Sequence, residues 1–315
     1  MFRSCSITLA GLAACLAFAV TSIQAAPNSF EAAKVMARQQ VYHDRTTEGT
    51  FYCGCRWQWT GRSGGRVDLD SCGYQVRAQD QRAQRIEWEH IVPASLFGQQ
   101  RQCWQQGGRG NCSRTDPLFN IMEADLHNLT PAIGEVNADR SNYRFAMLPD
   151  TPYRHGACPF KVEFNQRAAE PRDEVKGMIA RTYFYMHDRY NLRLSDQQER
   201  LLMAWDNRHA PSSWELERNQ RISRLMGHAN PFVDGQRQWL KGHRNLAEGL
   251  QTHQAEPQPS SLASNGPVVG NRRSQVYHLP QGCPGYQQVS PQNQVHFASE
   301  TEALAQGYRR AGNCR

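Results

Sequence analysis

Lysine is nearly missing from this sequence of 315 residues. Only Lys34, Lys161, Lys176 and Lys241 occur, so the rest of the 36 basic side chains are arginine. Against 29 Asp and Glu this leaves a formal charge of +7, a balance that suits polyanionic partners such as nucleic acid or anionic lipid head groups. Guanidinium groups grip phosphate through paired hydrogen bonds, so an arginine-rich basic set fits a phosphodiester substrate; genomic base composition explains the same bias equally well. Beyond Val20 no apolar run is long enough to span a membrane. The sequence has no Cys-x-x-Cys pair, which weighs against a structural zinc site. It has no His-Glu-x-x-His either, which removes the zinc hydrolases that place two histidines on one helix turn. No segment repeats, so a solenoid is excluded. Hydrophobic residues make up 39%, enough for a sizeable core and too many for global disorder.

What is present begins with an export signal. Arg3 precedes an apolar stretch, Ile7 to Val20, followed by Ser22-Ile23-Gln24-Ala25-Ala26; this is the layout of a leader cleaved after Ala25 or Ala26. Leu12-Ala13-Ala14-Cys15 offers a lipoprotein reading, opposed by the apolar residues after Cys15 and by the shortness of such a leader. Outside the leader stand Cys53, Cys55, Cys72, Cys103, Cys112, Cys158, Cys283 and Cys314, an even set that reads as disulfides in an oxidising compartment. Cys53 and Cys55 are too close to join each other easily, so each is expected to reach a distant partner.

Composition divides the chain into a leader over 1–25, a main domain over 28–233, a linker over 234–269 that turns rich in Gln, Pro and Ser, and a compact segment over 270–315. Asn28 with Glu31 reads as a capping box opening a helix to about Gln40. Residues 51–78 read as short strands and turns, and Arg85 to Val92 as a strand ended by Pro93. The polar, glycine-rich stretch 99–117 reads as a long loop. Thr130-Pro131 reads as an N-cap with proline at the first helical position, the helix running to about Ser141. Val175, Met178, Ile179, Thr182, Tyr183 and Met186 fall on one helical face and are core; Ser195 with Gln198 caps a further helix, and a last one carries Trp214, Ile222 and Leu225.

Three segments carry chemistry. Arg85-Ile86-Glu87-Trp88-Glu89-His90 puts carboxylates beside a histidine at a strand end. Cys103-Trp104 with Gly107-Gly108-Arg109 puts an arginine among glycines. Asp125-Leu126-His127-Asn128-Leu129, continuing through Asn142, puts Asn137 on a helix. A base, hard oxygen ligands and an arginine are what hydrolysis of a phosphodiester needs. Strand His, connecting segment, then helix Asn is the order of a ββα-metal site.

On these residues the chain, from about Ser29 to Val233, resembles the bacterial endonuclease I family, nucleases of the ββα-metal (His-Me finger) superfamily. The resemblance implies an α+β fold: a largely helical domain around a ββα-metal finger, with a small C-terminal module besides. It implies His90 as general base, Arg109 on the scissile phosphate, and Glu89 and Asn137 as ligands of one Mg²⁺, for which Mn²⁺ or Ca²⁺ can substitute. The implied partner is DNA, and RNA as well, cut without sequence preference to 5′-phosphate and 3′-hydroxyl ends by a monomer that is periplasmic or secreted. The rival function is a nucleic-acid binding or uptake protein with little turnover. Taken singly, Asn137 could serve only its own helix, Arg109 could be a solvated charge, Glu87 a surface carboxylate, and His127 either a packed histidine or one that orients the site.

Alternation poses a difficulty, because neighbours on a strand face opposite ways: Glu89 and His90 share a site only if the strand bends or ends there. Cys103 and Cys112 flank Arg109 and are expected to form a disulfide that holds it. The segment 270–315 is similar to the metal-binding domain of the Ada repair protein, which takes zinc through four cysteines. Only Cys283 and Cys314 remain here, with His278 and Ala311 near the missing positions, so a Cys283–Cys314 disulfide is preferred to zinc.

Overall fold

A computed structural model describes residues 26–254 and 268–314; the expected leader and much of the expected linker fall outside these residues. The chain forms two compact units, one ending at Leu246 and one beginning at Ala247. The class is α+β, helices predominating over small sheets. Among the described residues no helix is long and apolar enough to cross a membrane.

At the centre of the first unit lies a two-stranded antiparallel sheet. Ile86–His90 pairs with Leu129–Ile133 in the register Ile86↔Ile133, Trp88↔Pro131 and His90↔Leu129. The helix Gly134–Arg140 follows at once, completing a β-β-α unit. This corrects the expected helix start at Thr130-Pro131. Thr-Pro is a good cap locally, but pairing with Ile86–His90 holds residues 129–133 extended, and the helix opens only after Ile133. Pro131 is tolerated because this strand has a ladder partner on one side alone; on its other side its carbonyl accepts the Phe51 N–H at 3.0 Å.

Stretch 99–117 is not a loop. It forms the helices Gln102–Gln105 and Gly108–Thr115, broken by Gly107 and Gly108, whose positive φ values (141° and 65°) favour glycine. The Cys103–Cys112 disulfide joins the pair and replaces the hydrophobic stripe this polar segment lacks. The first helix is capped by Ser29 rather than Asn28, the Ser29 hydroxyl accepting the Ala32 N–H; it spans Phe30–Met36 and widens into a π turn over Ala37–Val41.

The long helix Asp173–Tyr190 buries Val175, Met178, Ile179, Thr182, Tyr183 and Met186, the expected stripe. Ser195 and Ser212 cap the helices Asp196–Arg208 and Ser213–Met226. Residues beyond Val233 still pack on this unit, Trp239 stacking on Phe184 at 4.7 Å. Cys53–Cys158 and Cys55–Cys72 tie down the segment ahead of the central sheet, each cysteine reaching a distant partner. In the second unit four strands lie in the order Gln294–Phe297, Val268–Asn271, Val276–His278, Arg309–Arg310, and Cys283–Cys314 closes it.

Cys53–Cys158 closes a span of 105 residues, so it should matter most among these bonds. Replacing both cysteines by serine is expected to lower stability by about 4–5 kcal/mol in non-reducing urea denaturation, and a loss below about 1 kcal/mol would contradict this. A second expectation concerns acid. Burial lowers the pKa of His127 to about 3 and of His187 to about 4, from 6.5. The unfolded chain therefore takes up protons that the folded chain refuses. Stability is complete above about pH 6.5 and declines as pH falls toward 4 and 3. Urea midpoints should be lower at pH 5 than at pH 7.

Candidate active site

The β-β-α unit opens on a cleft of about 910 Å³ whose lining includes Glu89, His90, Arg109 and Asn137 together with Phe30 and Arg140. Glu89 and His90 reach it jointly because the strand ends at His90. The alternation difficulty thus disappears at a strand terminus.

Glu89 is buried at 2% exposure. Its Oε1 accepts the Tyr52 hydroxyl at 2.7 Å and lies 3.3 Å from Arg140 Nη1. Burial pushes the Glu89 carboxyl up, against the opposing pull of Arg140 and Tyr52. Arg140, itself 1% exposed, donates to the carbonyls of His90 at 3.1 Å and Ile91 at 2.6 Å. Burial opposes its charge most strongly, but Glu89, Tyr52 and Tyr183 together outweigh that cost and hold the guanidinium above its usual range. The last helical residue thereby grips the end of the strand that carries the site.

His90 is fixed by a carbonyl. Its Nε2 lies 2.8 Å from the Glu123 carbonyl oxygen, and a carbonyl only accepts, so Nε2 carries the hydrogen and Nδ1 keeps the lone pair. The ring packs on Phe30, centroids 4.7 Å apart. Burial pushes the imidazole pKa down to about 3, the Glu123 carbonyl resists, and Arg109 and Arg140 press it lower still. The ring is neutral, with an unprotonated nitrogen.

Arg109 sits on the helix Gly108–Thr115 rather than in a loop. Its Nε donates to Glu123 Oε1 at 2.5 Å, while about half of the side chain stays exposed at the cleft. Glu123, at the end of the helix Pro117–Ala124, thus serves two groups: its carboxylate holds Arg109 and its carbonyl holds His90.

Asn137 lies one turn into the helix Gly134–Arg140, nearer its start than an opening at Thr130-Pro131 would put it. That helix is anchored by Glu135, which accepts the N–H groups of Ala78 and Gln79 at 2.7 and 2.6 Å, and by Asp139, which pairs with Arg77 and His155. Asn137 Nδ2 donates to Glu87 Oε2 at 3.0 Å. His127 is a packed histidine outside the cleft lining: its Nε2–H donates to the His228 carbonyl at 3.2 Å and its ring lies on Tyr185.

The donor set fits a hard cation. Glu89 Oε1 is engaged but Oε2 takes no hydrogen bond from the described residues, and Asn137 Oδ1 takes none either. These are two oxygen atoms on one cleft, a small set of the kind that leaves room for water and phosphate around Mg²⁺. In the second unit the ligand atoms of His278, Cys283 and Cys314 lie within 4.8 Å of one another. Both sulfurs are spent in the disulfide, so neither is a thiolate ligand while that bond stands.

Sequence reasoning missed Tyr52, Glu123 and Arg140 as parts of the site. Arg140 stood within the third motif, but nothing local revealed that it turns back to the first. Glu123 and Tyr52 lie outside all three motifs and meet the site only through space.

Comparison with known proteins follows this geometry. A family model described as Endonuclease I matches residues 29–236. The chain is 50% identical over 209 residues to an extracellular deoxyribonuclease of Aeromonas hydrophila, covering 66% of this chain and 90% of that protein. It is 52% identical over 188 residues to a periplasmic deoxyribonuclease of the same organism, covering 59% and 78%. It is 43% identical over 189 residues to Endonuclease-1 of Buchnera aphidicola, covering 60% and 75%.

Arg140→Met should strand Glu89 as a buried charge with no cationic partner, at a cost of about 3–5 kcal/mol in urea denaturation. Adding Glu89→Leu should recover most of that loss. If the single variant is as stable as the parent, the pair does not hold the strand end.

Proposed function

The chain belongs to the endonuclease I family, and from that premise we propose that it is an exported, metal-dependent endonuclease that cuts DNA, and RNA as well, without sequence preference. One observation carries the reading most directly. His90 Nε2–H is committed to a carbonyl, which leaves Nδ1 as a base in a cleft shared with Glu89, Arg109 and Asn137.

In this reading His90 Nδ1 takes a proton from the attacking water. The Glu123 carbonyl keeps the ring in the required tautomer, and the orphan carbonyls at that helix end favour the imidazolium as it forms. Arg109, braced by Glu123, turns its exposed face to the scissile phosphate and meets charge as it develops. Glu89 through Oε2 and Asn137 through Oδ1 would hold one Mg²⁺, with Mn²⁺ or Ca²⁺ able to substitute. When bound, the ion supplies neutralisation of charge on the phosphoryl and leaving oxygens. Contacts of this kind address phosphates, which carry no sequence information, so nonspecific cutting of either nucleic acid follows. The ends are 5′-phosphate and 3′-hydroxyl, and the working form is a monomer. Export is supported by the leader-like N-terminus, the four disulfides and the extracellular and periplasmic relatives.

The test is digestion of supercoiled plasmid by the oxidised mature protein with Mg²⁺. The parent should nick and linearise plasmid, EDTA should abolish cutting, and His90→Ala should lower the rate by about 10²- to 10⁴-fold. Products should be ligatable, as 5′-phosphate ends require. A parent that retains plasmid in gel shifts yet leaves it uncut with Mg²⁺, Mn²⁺ or Ca²⁺ would make this a binding protein instead.

A further inference from the structure

Glu87 stands two residues before Glu89 on the same strand face, and its carboxylate is saturated. Oε1 accepts from Arg82 Nε at 2.9 Å, Arg85 Nε at 3.0 Å and Arg85 Nη2 at 2.7 Å. Oε2 accepts from Arg82 Nη2 and from Asn137 Nδ2. Two carboxylate oxygens offer about four acceptor sites, and five donors occupy them. With both oxygens taken up by the guanidinium groups of Arg82 and Arg85 and by Asn137 Nδ2, Glu87 is an acceptor with no lone pair left for a metal.

We propose that Glu87 is a positioning residue that sets the amide of Asn137, so that its carbonyl oxygen rather than its nitrogen faces the metal. This rests on the reading of Asn137 as a metal ligand. The two ends of an amide have nearly the same size, so packing does not distinguish them. Charge does: a carboxylate accepts and never donates when ionised, so only Nδ2 can face Glu87, and Oδ1 must face the other way. Arg82 and Arg85 complete the device by fixing the carboxylate. Gly134 admits it, since a Cβ at that position would lie 2.9 Å from Glu87 Oε1 and 2.6 Å from the Arg82 carbonyl.

Glu87→Gln is the sharp perturbation. Three arginine donors meet Oε1 and only one, Arg82 Nη2, meets Oε2, so the new NH₂ takes the Oε2 side at the loss of that one bond and turns toward Asn137. Asn137 then flips to offer Oδ1 to it, and a nitrogen with no lone pair to give faces the metal.

The experiment is a double-mutant cycle on Mn²⁺ affinity, read from the EPR signal of free Mn²⁺ on the full-length oxidised mature protein without nucleic acid. Glu87→Gln is expected to weaken binding about tenfold. Asn137→Ala should weaken it too, and the double variant should bind no more weakly than Asn137→Ala alone. Loss of a nearby negative charge would also weaken binding, but that effect would persist in the Asn137→Ala background, so the cycle separates orientation from charge. Parental affinity in Glu87→Gln, or losses that simply multiply in the double variant, would overturn the positioning role. Parental affinity in Asn137→Ala would overturn the ligand reading itself, and this inference with it. Should Glu87→Gln not fold, Glu87→Asp enters the same cycle: it keeps a charge for Arg82 and Arg85 but withdraws the carboxylate from Asn137.

Discussion

The buried pair Glu89–Arg140 is the constraint on which the site depends. Both side chains are almost wholly out of water, a situation that costs several kcal/mol for each ion unless charge and hydrogen bonds are returned. Here much of that is returned, although Arg140 Nε is left without a partner. Arg140 meets Glu89 and also two backbone carbonyls, those of His90 and Ile91, while Tyr52 fills another lone pair of the carboxylate. A planar fork with several donors can do this, and a lysine point charge cannot. An apolar pair would pack at less cost, but it would provide no oxygen at the cleft. The ion pair joins the strand end to the helix end, and the candidate base and both candidate ligands sit on those two elements.

Around this pair the protein reuses groups that a helix or strand leaves unsatisfied. Helix Pro117–Ala124 ends with orphan carbonyls, and one of them orients His90. The same residue offers its side chain to Arg109, so one backbone position governs two groups of different chemistry. Arg109 needs such support because it lies on a polar helix held by a disulfide rather than by a hydrophobic face. Asn137 is held likewise, through Glu87, by two arginines. Each of these cleft residues is thus gripped by a second group, the usual condition for a site that must not wander.

The family match ends at residue 236, and the second unit lies beyond it. Its four short strands enclose a small cluster built on Val268, Tyr277, Phe297 and Ala303, and Cys283–Cys314 supplements this core. A domain this small cannot bury enough apolar surface alone, so the covalent link substitutes for missing core.

The residues that line the cleft together could be picked out in the sequence, because they fall in short stretches with telling neighbours: Glu89 beside His90, Arg109 among glycines and cysteines, Asn137 within a run of polar helix formers. The even cysteine set and the stripe on Asp173–Tyr190 were legible for the same reason, since each is a local or periodic pattern. What local pattern could not decide was where elements end and which residues meet. Thr130-Pro131 has the propensity of a helix cap, yet hydrogen bonding to a strand some forty residues earlier overrides it. Stretch 99–117 has the composition of a loop, yet a disulfide joins two short helices there. Whether Glu89 and His90 could share a site depended on the strand stopping at His90, and the grip of Arg140 on that terminus is a contact across fifty residues. Partners such as Tyr52, Glu123 and Glu87 enter the site through distances that only the folded chain creates. Side-chain type was written in the sequence, whereas orientation, tautomer and charge state came from tertiary structure, because those depend on which acceptor or counter-charge burial brings within about 3 Å.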